Sequence, residues 1–203
     1  MMARLVPFVL VLVVTAVRAF AGELPAFDSD AAADRWLRDH SGFYKTMAAA
    51  VDARGGYSFQ GSGELALGMV RWKEGKPVIE LGDSLKGAKR VSILIFSLAD
   101  IYESRQHQEV DADAAQGRIA SEREFDVLHA LVQLDGLRHH RKVLEELDSH
   151  VGGVPAEMLQ WINPQLRTLS GYLLPMAYDF VKAQETGANA RHYHEWFYKQ
   201  KGK

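Results

Sequence analysis

Residues 91–102 read VSILIFSLADIY, a run that is apolar almost all the way round a helix. At 100° per residue, Val91, Leu94, Ile95, Leu98 and Tyr102 make one face. Ile93 and Phe96 keep the opposite face apolar as well, beside Ser97, Asp100 and Glu103. A helix with no solvated side has to be enclosed by other elements, so the rest of the chain must wrap around it. The two polar residues in its middle then need explaining. Ser97 is expected to bond back to the carbonyl of Ile93. Asp100 is expected to touch a donor, either His139 or a basic residue of the C-terminal helices, because an unpaired buried carboxylate is costly.

The surrounding elements follow from local signals. Asp28 or Asp30 caps a helix beginning at Ala31–Ala33 and broken near Ser41-Gly42, with Gly55-Gly56 as its stop. Tyr57–Leu81 is the strand-like part, where LALGMVRW and PVIEL flank KEGK as a hairpin. After Lys86 the pattern is helical throughout. The central helix reaches about Ser104, and a short polar helix follows over His107–Gln116. SERE at 121–124 is a capping box that opens a long helix to Leu147, stopped by Gly152-Gly153. Pro155 and Pro164 each start a helix, and the last two span Gly171–Glu185 and Ala188–Gln200. The fold class is mainly α with a small β-hairpin (α+β).

Met1–Ala21 carries Arg4, an apolar run from Leu5 to Val14 and the small-residue exit Ala19-Phe20-Ala21. This is the pattern of a signal peptide cleaved before Gly22, and its apolar run is well short of the ~20 residues a bilayer span needs. Residues 1–21 are therefore expected to leave, and residues 22–203 to form a single globular domain. Loss of Arg4 and Arg18 takes the 24 basic residues to 22 against 26 acidic, a net charge near −4 that disfavours nucleic-acid binding. With no cysteine, thiol nucleophiles, Fe–S clusters and cysteine zinc sites are out, and the fold rests on its core without disulfides. Export places the mature chain in the periplasm or outside the cell, with no membrane association after cleavage.

The run KPVIELGDSLKGAKRVSILIFSLADIY, with QGRIASEREFDVLHALVQLDGLRHHRKVLEEL after it, resembles the zincin-like metallopeptidase families of bacteria over Lys76–Leu147. In those families a strand pair precedes a helix carrying HExxH, and degenerate members lack it. The resemblance implies a zincin-like helical scaffold and puts Phe96, Ser97 and Asp100 where the first histidine, the glutamate and the second histidine belong. Phenylalanine cannot ligate zinc and serine is a poor general base, so the metallopeptidase positions are not retained and the chemistry is argued against.

On the long helix, Phe125, Leu128, Val132, Val143 and Leu147 form an apolar stripe, with Asp135 and His139 close to it and His129 and His140 on its edge. Asp135 and His139 are four apart and can meet. With Asp100 they make a candidate polar cluster, and Asp100, Asp135, His139 and His107 are the candidate metal ligands. Zinc is the metal those donors would take, although the sequence requires no cofactor. In RHYHEWFY, His192 with Trp196 and Tyr193 with Phe197 are spaced to pack a terminal helix. The leading expectation is an exported, non-catalytic protein that binds another protein. The alternatives are a metal-dependent hydrolase with non-standard ligands, and a periplasmic immunity or inhibitor protein.

Overall fold

The computed structural model of the protein describes residues 24–186 and 190–200; the signal-peptide reading of 1–21 lies outside them. Helices α1 (Asp30–His40) and α2 (Gly42–Asp52) lead into strands β1 (Ser58–Ser62), β2 (Gly68–Lys73) and β3 (Lys76–Gly82). Then come α3 (Gly87–Ala115), α4 (Glu122–Val151), the single turn α5 (Glu157–Gln160), α6 (Ala177–Thr186) and α7 (Ala190–Gln200). The fold is mainly α with a small β element, as the sequence implies.

Serines set the first two helix starts. Ser29, rather than Asp28 or Asp30, caps α1 by accepting from the N–H of Ala32, and Ser41 caps α2 by accepting from that of Tyr44. The break at 41–42 is thus a cap between two helices. Glu74 and Gly75 both take positive φ, 52° and 78°, which gives the two-residue turn that closes β2 on β3. The sheet has a third strand that the hairpin reading lacked, since β1 pairs in parallel with β3 and the order is β1-β3-β2. β3 ends at Gly82, where the backbone carbonyl of Leu65 leaves no room for a Cβ.

Three helix boundaries differ from the sequence reading. α3 runs unbroken for 29 residues, so the separate helix at His107–Gln116 is its continuation. Nothing between Ser104 and His107 stops a helix, because polarity alone does not. Pro164 lies in a turn rather than starting a helix, and Gly171 closes a short 3-10 turn before an extended stretch to α6. The capping box holds: Ser121 Oγ accepts from Glu124 N–H, while Glu124 Oε2 accepts from the N–H of Ala120.

Leu94, Ile95, Leu98 and Ile101 of α3 are fully enclosed by Leu37, Tyr44 and Met47 below, Ile79 and Leu81 of β3, and Leu144 and Leu147 of α4. Each such side chain contributes about 1.5–3 kcal/mol on burial, so this core holds the fold together. A second, smaller cluster joins Ala114, Ile119, Phe125 and Phe197 where α7 lies on α3 and α4.

Candidate functional site

Where α3 meets α4, three histidine contacts run along the seam. Nearest the start of α3, Ser92 Oγ sits 2.9 Å from His140 Nε2, and both residues are fully buried. The hydroxyl donates its proton to the Met158 carbonyl at 2.5 Å and accepts from Trp161 Nε1 at 2.8 Å. With that single proton committed, the His140 contact is an Nε2–H donating to oxygen. Burial pushes the His140 pKa down to about 3, so the ring stays neutral. A serine beside a histidine resembles a nucleophile and its base. Here the hydroxyl is saturated and sealed beneath α5, with no route for a substrate.

One turn beyond the middle of the seam, His139 Nδ1 lies 2.7 Å from Glu103 Oε1, and Glu103 is only 1 % exposed. The two atoms are close without the alignment of a good hydrogen bond. Phe43 and Tyr102 flank the imidazole with ring centroids at 5.2 and 5.5 Å. At the far end, His107 Nδ1 and His129 Nδ1 are 2.6 Å apart, close enough to share one proton. His129 is fully buried, with Asp111 Oδ1 3.3 Å from its Nε2 and the Trp196 ring centroid at 4.1 Å. Burial, with His129 alongside, takes the His107 pKa down to about 4.

The sequence-derived cluster is therefore dispersed. Asp100 does not meet His139; it is exposed, makes no hydrogen bond or ion pair among the described residues, and crowding by its surroundings raises its pKa. Glu103, three residues on, is the carboxylate beside the His139 imidazole. Asp135 pairs with Arg138 at 2.6 Å rather than with His139. His107 belongs to a different contact, with His129. Among the described residues no group of three histidines or carboxylates is arranged to hold a metal ion. Phe96 packs edge-on against Trp161 and His140, at 5.2 and 6.2 Å. Ser97 is buried but makes no hydrogen bond to the Ile93 carbonyl, and Ser92 is the hydroxyl that ties this helix to its neighbours.

Sequence reasoning missed Ser92, Glu103 and the depth of His129 and His140. Periodicity puts both histidines on the edge of the α4 stripe, yet they are more deeply buried than His139 and Asp135. The signal was present in the spacing. His129 and His140 are 11 residues apart, three helical turns, and so share a face with Val132, Gly136 and Val143.

The open concavity lies elsewhere. A cleft of about 900 Å³ is bounded by the lead-in Pro25–Asp28, the first turn of α1, β1 and the start of α3. Phe27 and Phe59 give it an apolar wall, and Asp28, Asp83 and Lys86 a charged rim. Arg90 forms a two-pronged bond to Asp30 at 2.5 and 2.7 Å, which ties α3 to α1 across the cleft. No histidine lines it. Ser58–Gly61 form one side, and β1 is an edge strand, so alternate backbone N–H and C=O groups point away from β3.

Comparison with protein-family models, curated proteins and solved structures finds no match to this chain. Among the described residues no helix is long and apolar enough to cross a membrane.

Proposed function

We propose that this is an exported, non-catalytic binding protein, a zincin-like frame without zinc chemistry, whose cleft takes an extended segment of another polypeptide as a strand added to β1. The observation that carries this reading is the separation of chemistry from access. The histidines along the α3–α4 seam are each engaged by a partner side chain and are mostly buried, while the cleft of about 900 Å³ has no imidazole in its lining. An edge strand offers a row of unpaired backbone groups, and side chains of an added strand alternate between two environments. On one side they meet Phe27 and Phe59, on the other solvent and the charged rim. The hydrolase alternative loses support because Asp100, Asp135, His139 and His107 do not converge.

The test is selection from a random peptide library on the immobilised mature protein, followed by amide exchange with the selected peptide. Exchange at Ser58–Ser62 is expected to slow, and Phe59→Glu to abolish binding. Protection confined to other elements, or stoichiometric tightly bound zinc in the purified protein, contradicts the reading.

A further inference from the structure

Trp72 is 50 % exposed, although it lies on the sheet face that packs against α3. Gly68, Val70 and Trp72 alternate onto one face of β2, and a Cβ at Gly68 would strike Ile93, so this face is the one turned to the helix. Trp72 is four residues further, about 13 Å along the strand, and the eight residues from Ile93 to Ile101 cover about 12 Å of helix. The indole therefore stands level with Ile101. What separates them is a pocket of about 330 Å³. Trp72 and its cross-strand partner Pro77 form one wall. Ile101, Ser104, Arg105 and Gln108 form the other, a single stripe of α3 at i, i+3, i+4 and i+7. Val51 and Arg54, at the end of α2, close it.

We propose that this pocket binds a carboxylic acid with a flat apolar body, its carboxylate on Arg54 and its body between Trp72 and Ile101. The chemistry of the lining carries the assignment. Two arginines and no carboxylate line the pocket among the described residues. Arg105 pairs with Glu109 at 2.9 Å, but both side chains are well exposed and such a pair holds little. Arg54 has no carboxylate partner among the described residues. Its Nε and Nη2 donate to the carbonyls of Ala50 and Tyr102, at 3.2 and 3.3 Å. Those bonds orient the guanidinium without neutralising it, and its remaining N–H groups are left for the oxygens of a ligand. A fork held in this way matches a carboxylate better than a point charge would. The floor is apolar, since Val51 and Ile101 are both buried. The indole and the Pro77 ring offer flat faces to a ring laid on that floor. A volume of about 330 Å³ suits a small ligand, with a few polar groups fixing its orientation in an apolar site. The site lies at the β2 edge of the sheet, away from the cleft beside β1, and is independent of peptide binding there.

Titration of the isotope-labelled protein with benzoate, phenylacetate and indoleacetate, followed by amide and indole N–H resonances, tests this directly. The Trp72 indole signal, assigned by its loss in Trp72→Phe, is expected to move saturably together with the amides of Arg54 and Ser104. Phenylacetamide lacks the charge and acetate lacks the ring, so each should bind about tenfold more weakly or worse than phenylacetate. Arg54→Gln should weaken phenylacetate binding about tenfold, and Arg105→Gln only about twofold. Trp72→Leu changes an exposed side chain, so it keeps the fold and should also weaken binding. Gly-Gly-Phe with a free C-terminus, set against its amide, distinguishes a chain end from a free acid as the source of the carboxylate. Saturable binding of either one at Trp72 supports the pocket. The proposal is overturned if none of these carboxylates moves Trp72 saturably, or if phenylacetamide binds as tightly as phenylacetate. It is overturned equally if Arg54→Gln and Trp72→Leu, with amide spectra otherwise unchanged, bind phenylacetate like the wild type.

Discussion

The two ends of the α3–α4 seam solve one problem in different ways. At the Ser92 end, a neutral imidazole meets a hydroxyl that already has a carbonyl and an indole as partners, and α5 covers the group. At the His107 end, two imidazoles share one proton beside a carboxylate, and α7 covers them. The first arrangement has few protons to gain or lose. The second changes character with each proton, because a pair of facing nitrogens 2.6 Å apart cannot both carry one. The difference teaches that a buried histidine is not by itself a sign of chemistry. What matters is whether its neighbours leave it a free atom and a path to solvent, and neither end provides both.

A large effect is expected where the hydroxyl of Ser92 has three polar partners. Ser92→Ala strands the Trp161 N–H, the Met158 carbonyl and the His140 N–H together. At ~1–3 kcal/mol for each buried unsatisfied group, the variant should lose about 3 kcal/mol or more in urea melts. A loss below about 1 kcal/mol would mean that water reaches this site and that the enclosure is not real.

Acid should separate the seam from the rest of the core. Unfolded histidines take up protons near pH 6.5, whereas His140 and His107 resist them down to about 3 and about 4. Both folded pKa values are depressed, so the unfolded state binds more protons between these limits and stability falls as pH drops below 6.5. Each group contributes up to about 1.4 kcal/mol per pH unit across its window, less for His107 because it is partly exposed. Above pH 7 neither contributes any dependence. Urea midpoints measured from pH 7.5 to 4.5 should fall steadily, and His107→Gln should flatten part of that slope. Midpoints that are level across this range would refute the burial argument for both rings.

Much of this architecture is legible in the sequence because its signals are local. The capping box at Ser121, the stop at Gly152 and the turn at Glu74-Gly75 all depend on residues within a few positions of one another. The parallel pairing of β1 with β3 was not legible, since it joins segments some 20 residues apart and SFQGS has no strong strand signature. The helix partner of His139 failed for a related reason. Asp100 and Glu103 are a turn apart on the same helix, and periodicity places both on the face opposite Leu94 and Leu98. Only the crossing of α3 against α4 decides that Glu103 is enclosed and Asp100 is not. A helical wheel carries no information about that crossing.

The smallest effect is expected at the residue that first drew notice. Asp100→Asn removes no contact and should change stability by no more than about 0.5 kcal/mol, the usual range for surface positions.

That contrast provides the most direct test of the claim that the polar residues of the seam are structural locks. Two double-mutant cycles share His139: one with Glu103, one with Asp100, all read by urea melts. Removing His139 alone leaves the buried carboxylate uncompensated and should cost ~3–5 kcal/mol, removing Glu103 alone should cost less because the imidazole left behind is partly exposed, and replacing both by leucine should cost far less than the loss of His139. The coupling between Glu103 and His139 is then expected in the upper part of the ~0.5–3 kcal/mol found for touching residues, and that between Asp100 and His139 near zero. Strong coupling of Asp100 to His139, with none between Glu103 and His139, would contradict the account.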